Sequence, residues 1–312
     1  SMKFKKVIVQ FDAENLILAE ELIIDIFFSF NLKGVVCNIP LDEPDEGFGT
    51  NTLPKPEIYS IEGFLPLIDS SDSSDILLEQ IRVKTSNLSH LNIKIDIKTE
   101  IVDEEDWAHA WKAYFEVTPI TDSITIKPVW KDHVAREGEI VILLDPGMAF
   151  GTGTHPTTAM CIKLIEKFLQ PGSSILDVGT GSGILMVAAA GLGAKRLLGI
   201  DTDPVAIDVA KKNLDINDID PEMVNLLCTT LDKIDPAPFE FIAVNIIAQV
   251  IVTLLPEISI RMTKETVLIL SGIIRERQND VLSALKDNNL FVIHEEYTDE
   301  WVCLAVKKKV NQ

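Results

Sequence analysis

The sequence predicts an α/β protein: a doubly wound, seven-stranded sheet with one antiparallel strand, preceded by a smaller α+β domain of ferredoxin-like layout. Three observations predict it. From about residue 120 onward, short apolar runs alternate with helical segments, and the chain closes on two neighbouring strand-like runs around an acidic turn. One apolar run, ILDV at 175–178, breaks into the alternating glycines Gly179, Gly181 and Gly183 and resumes as the helical ILMVAAA at 184–190. The first hundred residues read strand, helix, strand, strand, helix, strand instead. A chain of 312 residues has room for two domains of roughly 150 residues each. The boundaries expected are 2–98 for the first domain, 99–119 for a linker helix and 120–312 for the second domain.

In chain order, residues 4–11 set Val7, Val9 and Phe11 against Lys6, Ile8 and Gln10, the partial alternation of a strand. Residues 12–30 place Leu16, Ala19, Leu22, Ile23, Ile26 and Phe27 on one helical stripe. A strand follows at 34–39, then a Pro-, Gly- and acid-rich loop at 40–56. A strand at 58–64, a helix at 75–87 and a strand of period two at 93–97 complete the first domain. DEEDWAHAWKAYF at 103–115 carries Trp107, Trp111 and Phe115 on one helical face behind an acidic first turn. That helix either packs on one domain or docks the two together.

Strands are expected at 123–130 and 139–144. DPGMAFGTGTHPTT at 145–158 then precedes a helix at 159–168, for which Thr154, Thr157 or Thr158 would serve as cap. Glycines and threonines at this density, with Phe150 among them, suit a loop that covers a ligand. Beyond the glycine turn, a strand at 196–200 leads to Asp201, and a helix at 204–217 starts with Asp203 as cap and Pro204 in first position. Strands at 224–228, 239–244 and 266–271 and helices at 246–261 and 273–288 follow, with the closing strands at 290–296 and 301–307.

Hydrophobic residues at 46% and charged residues at 24% are the balance of a globular protein with a real core. The net charge of −20 disfavours nucleic acid as a direct substrate, because phosphate contacts demand Lys and Arg. It favours encounter with a basic partner, although solubility is a plainer use of the same charge. Cys37, Cys161, Cys228 and Cys303 are scattered and form no C-x-x-C pair, so no metal site or disulfide framework is expected and a reducing compartment fits. No signal-peptide pattern opens the chain and no uncharged apolar run approaches 18 residues. The expectation is a cytoplasmic monomer with no membrane partner.

The glycines read G-x-G-x-G, one residue short of the dinucleotide fingerprint, and no Lys or Arg sits in the turn. That pattern favours a nucleoside carrying an amino-acid tail over a pyrophosphate. Asp201, one strand later, can accept hydrogen bonds from both hydroxyls of a ribose. Gly179, Asp201 and Asn245 all fall at strand ends, where such sheets bind ligands. Asn245 could accept a hydrogen bond from an amine, orient the amino-acid end of a cofactor, or merely cap its strand. His155 is the candidate general base, with a structural loop histidine as the alternative. The segment NIIA at 245–248 lacks the two prolines and aromatic ring expected where a planar base or amide is methylated.

DPGMAFGTGTHPTT, LDVGTGSGIL, GIDTDP, VNIIA and the upstream DWAHAWKAYF are similar to segments of the ribosomal protein L-eleven methyltransferases, in the family's order and over about residues 103–274. The resemblance implies a seven-stranded methyltransferase (Rossmann-like) sheet and S-adenosylmethionine as cofactor. It implies transfer to lysine ε-amines, and to an N-terminal α-amine, of a basic large-subunit ribosomal protein recognised by the first domain. The family's cofactor positions fall on Thr158, Gly179, Asp201 and Asn245, and Gly181, Gly183 and Phe150 are expected beside them. Asn245 and His155 are the candidates for chemistry. The alternatives are a methyltransferase for another basic protein or a small molecule, or a non-catalytic adenosylmethionine-binding module.

Overall fold

The computed structural model describes residues 3–30, 33–38, 58–66, 71–103, 116–145 and 155–309. The chain divides into two units, Ser1–Tyr114 and Phe115–Gln312. Residues 104–115, with Trp107, Trp111 and Phe115 of the expected linker helix, lie outside the described residues, as does the acidic loop at 40–56. Among the described residues no helix is long and apolar enough to cross a membrane.

The first unit comprises β1 (Lys3–Asp12), α1 (Leu16–Ser29), β2 (Lys33–Asn38), β3 (Tyr59–Pro66), α2 (Ser71–Ser86) and β4 (Lys94–Asp103). Its sheet runs β2-β3-β1-β4 with every pairing antiparallel, the ferredoxin-like order. Val7, Val9 and Phe11 of β1 and Ile61 and Leu65 of β3 meet Ala19, Ile23 and Phe27 of α1 and Ile81 of α2 in one buried core. The helical stripe and the strand alternation read from sequence therefore face each other. Helix α1 starts at residue 16 rather than 12 because the Asn15 side chain accepts the Leu18 N–H at 3.0 Å, capping it there.

The second unit opens with a small sheet of β5 (Thr118–Pro119), β6 (Ile124–Pro128) and β7 (Ile140–Leu144), β6 and β7 being parallel. The main sheet contains β8 (Ser174–Val178), β9 (Arg196–Asp201), β10 (Val224–Cys228), β11 (Phe241–Asn245), β12 (Val267–Ile274), β13 (Leu290–Thr298) and β14 (Trp301–Lys308). Its order is β10-β9-β8-β11-β12-β14-β13, parallel except for β14, which is antiparallel to both neighbours. The helices are α3 (Pro156–Phe168), α4 (Ile184–Gly191), α5 (Pro204–Ile216), α6 (Ala248–Ile260) and α7 (Gln278–Asp287).

From β8 the chain winds outward through β9 and β10, then returns to start β11 and β12 on the other side. Right-handed crossovers put the helices of the two halves on opposite faces. On one face Ile251, Leu255 and Ile258 of α6 and Val281 and Leu285 of α7 bury against Val178, Val244, Leu268, Leu270 and Leu304. The reversal between β8 and β11 leaves a crevice at their carboxyl ends.

Two boundaries differ instructively from the sequence reading. The strand expected to end at 271 continues to Ile274, because beyond an irregularity at 271–272 Ile273 and Ile274 pair with Val302 and Trp301 and are buried. A short turn, Arg275–Arg277, then leads into α7, which starts at 278 and not 273. Helix α6 starts at 248 rather than 246, because the Ile246 N–H is taken by the Ser271 carbonyl at 3.1 Å.

Candidate functional site

The glycine turn follows β8 directly. Gly179, Gly181 and Gly183 have φ of 73°, 53° and 77°, the left-handed region that other residues rarely adopt. The N–H groups of Gly179 and Thr180 donate to the Ile200 carbonyl at 2.9 and 3.0 Å, and the Gly183 N–H donates to Thr180 at 2.8 Å. A Cβ on Gly183 would lie 3.0 Å from the Cβ and 3.1 Å from the Cα of Ala210. The turn and α5 therefore meet almost backbone to backbone.

Asp201 lies half-buried at the end of β9. Its Oδ2 accepts the Gly181 N–H and its Oδ1 the Asp203 N–H, each at 3.0 Å. The carboxylate is thereby fixed toward the turn, and each oxygen keeps a lone pair for a further donor. Behind it, Asp177 is 1% exposed. Its Oδ2 accepts the Thr180 hydroxyl at 2.7 Å, while its Oδ1 is buried with no partner among the described residues. Burial raises the Asp177 pKa from 3.8 to about 7, with the Thr180 hydrogen bond opposing the rise and the Asp201 charge adding to it.

The second half of the site joins α3 to the ends of β11 and β12. The Asn245 amide donates to the hydroxyl of fully buried Thr158 at 3.4 Å. The Ser271 hydroxyl donates to the Thr157 carbonyl at 3.1 Å. Ile246 connects the two halves, since a Cβ on Gly179 would lie 2.8 Å from its Cγ2.

The cap expected of Thr154, Thr157 or Thr158 is instead supplied by His155. Its Nδ1 accepts the Thr157 N–H at 3.4 Å and lies 2.8 Å from the Thr157 hydroxyl. With Pro156 in first position, a side chain one residue earlier reaches the open N–H groups. The imidazole packs edge-on against Trp301, centroid to centroid 4.9 Å. Burial lowers its pKa from 6.5 to about 4, so the ring is neutral at physiological pH.

The structure thus brings Gly179, Gly181 and Gly183 together with Asp201, and Thr158 together with Asn245, with His155 at the same helix start as Thr158. Phe150, with Gly147, Gly151 and Gly153, lies outside the described residues. Sequence reading missed two contributors and left a third without a role. Trp301 left no signal, being separated from His155 by most of the unit. Asp177, two residues before Gly179, was legible as part of the glycine motif but not as a buried carboxyl. Gly272 could have been found, because a lone glycine inside LILSGII marks a bulge or a close backbone approach. It has φ +83°, and a Cβ there would lie 2.3 Å from the Ile246 carbonyl oxygen.

The family model described as "Ribosomal protein L11 methyltransferase" matches residues 9–309. A ribosomal protein L11 methyltransferase of Desulforapulum autotrophicum is 47% identical over 306 residues, spanning 98% of this chain and 99% of the relative. One of Desulfosudis oleivorans is 39% identical over 309 residues, spanning 96% of this chain and 97% of the relative. Among solved structures, a ribosomal protein L11 methylase of Lactobacillus delbrueckii subsp. bulgaricus matches with a TM-score of 0.59 at 31% identity, over 63% of this chain and 100% of that one.

Proposed function

Because the chain belongs to the ribosomal protein L11 methyltransferase family, we propose that it methylates amino groups of ribosomal protein L11 with S-adenosylmethionine. The observation that carries this reading is the family match over residues 9–309, across the whole of the glycine turn and the strand ends beside it. Lysine ε-amines and the N-terminal α-amine are the acceptors in this reading. The first unit recognises the protein substrate, and the enzyme acts as a cytoplasmic monomer without nucleic acid or membrane.

The residues present fit the cofactor. Asp201 offers one free lone pair per oxygen to the two ribose hydroxyls. Asp177 has a buried oxygen in need of a donor, which the ammonium of an amino-acid tail would satisfy. The glycines admit the ligand to bare backbone, and Thr158 and Asn245 border its other end. Bound S-adenosylmethionine would supply a methyl group on a sulfonium, passed in line to the amine nitrogen as the sulfur keeps the bonding pair.

Positioning supplies much of the rate in such a displacement. Asn245 spends its amide N–H on Thr158, which leaves its carbonyl oxygen to accept from the incoming amine and aim the nitrogen lone pair. The amine must be neutral, and free lysine has a pKa of about 10.4. His155, at about 4, is too weak a base to hold that proton. Water carries it away, and His155 acts by fixing the start of α3 and with it Thr158.

Labelled methyl transfer from S-adenosylmethionine to undermethylated ribosomal proteins, with Asp201→Ala as control, tests the reading. Label in L11 that vanishes in the mutant is expected. Label in another basic protein would move the substrate, and a protein that binds the cofactor without any turnover would make it a binding module.

A further inference from the structure

We infer that Asn213 is a positioning residue for the cofactor, locking the glycine turn and the Asp145 N–H just after β7 in one register. The inference rests on the reading of that turn as the S-adenosylmethionine site. Asn213 lies on α5 and is fully buried. Its Oδ1 accepts the Asp145 N–H and its Nδ2 donates to the Ser182 carbonyl, both at 2.8 Å. One side chain thus holds two backbone points from separate parts of the unit.

The Ser182 bond fixes more than a carbonyl. The same peptide plane ends in the Gly183 N–H, which donates to the Thr180 carbonyl at 2.8 Å. Held at both ends, the plane cannot rotate, although left-handed glycines on either side of Ser182 would otherwise let it swing. The N–H two residues before Gly183, that of Gly181, is the one Asp201 accepts. A rotated 182–183 peptide would therefore disturb the carboxylate assigned to the ribose.

Asn217, one helical turn later, is the natural comparison. Its Oδ1 accepts the Leu143 N–H at 2.8 Å, and its Nδ2 donates to the Leu143 and Asn213 carbonyls, each at 2.7 Å. It ties α5 to β7 with the same chemistry but does not touch the glycine turn. The amide accepts through its oxygen and donates through its nitrogen at once, without carrying a charge. An aliphatic replacement takes the side-chain partner from these backbone groups, the carbonyl of fully buried Ser182 among them, so both asparagines support the fold. Only Asn213 is expected to govern cofactor affinity.

The test measures S-adenosylhomocysteine affinity by calorimetry, steady-state kinetics and Tm on the full chain. The variants are Asn213→Ala, Asn213→Asp, Asn217→Ala and Asp201→Ala. Asn213→Asp is isosteric; measured at about pH 9, where its carboxyl is ionised even if burial raises its pKa, it keeps the acceptor for Asp145 but loses the donor to Ser182, so it carries the test if Asn213→Ala does not fold. Both Asn213 variants should bind about tenfold more weakly, about 1.4 kcal/mol. They should raise the KM for S-adenosylmethionine by the same factor, with kcat at saturation held within threefold. Asn217→Ala should lower Tm comparably and shift affinity less than twofold. Equal weakening by Asn213→Ala and Asn217→Ala, or wild-type affinity in Asn213→Asp, would overturn the inference. Absence of binding in the wild type, or unchanged binding in Asp201→Ala, would overturn the cofactor reading and this inference together.

Discussion

At the scale of single residues, Asp177 carries the clearest pH signature. Its pKa stands at about 7 in the folded protein against 3.8 as a free side chain. Between those values the folded state holds a proton that the unfolded chain has released. Its contribution to stability is therefore full below about pH 4 and is lost as pH rises toward 7. Asp177→Asn, which never ionises, should melt above the wild type at pH 7 and beyond, with the gap closing toward pH 4; parallel Tm curves would count against this. An ammonium donor opposite its Oδ1 would ionise it, so cofactor affinity should tighten from about pH 6 to 8. Asn245 makes a separate prediction. If its carbonyl aims the amine, Asn245→Ala should lower kcat on the order of a hundredfold while S-adenosylhomocysteine affinity stays within about threefold. An equal loss of affinity would place Asn245 among the groups that hold the cofactor instead.

At the scale of elements, the strands were easier to find than their ends. The glycine turn and the helix after it were legible, because three glycines in five residues mark a backbone that other residues rarely adopt and an Ala/Leu run favours helix. The end of β12 was not. Its last residues stay in the sheet because β14 pairs with them and buries them, and a partner almost thirty residues downstream leaves no local trace. Gly272 is the hinge of that arrangement, admitting the 246 carbonyl where no side chain fits. Gly272→Ala should destabilise by about 2 kcal/mol or more, a fall in Tm of roughly 4–8 °C for a unit of this size. Gly138→Ala is the control: φ is similar at +76° but nothing lies within 4 Å of the added Cβ, so only the conformational cost, about 1 kcal/mol, is expected. Equal losses would show that the Ile246 contact is unimportant.

At the scale of the whole molecule, the net charge of −20 bears on how a protein substrate is met. Attraction between an acidic enzyme and a basic substrate is screened by salt, with a Debye length of about 8 Å at physiological ionic strength. The KM for L11 should therefore rise as salt is added, while kcat and the KM for S-adenosylmethionine stay nearly constant. A KM for L11 indifferent to salt would mean that the acidity serves solubility alone.

What the sequence determined by itself was whatever depends on neighbours along the chain. The winding of the sheet follows from alternating apolar runs, the glycine turn from the spacing of Gly179, Gly181 and Gly183, and the placing of Asp201 and Asn245 from the ends of their strands. What only the tertiary structure decided was which distant groups share a hydrogen bond or a buried volume. His155 caps α3 and rests on Trp301, Asp177 keeps an oxygen buried without a partner among the described residues, and Asn213 joins Asp145 to Ser182. Each outcome depends on where the sheet and helices bring separate segments together, and the chemistry of a side chain does not reveal its eventual partner.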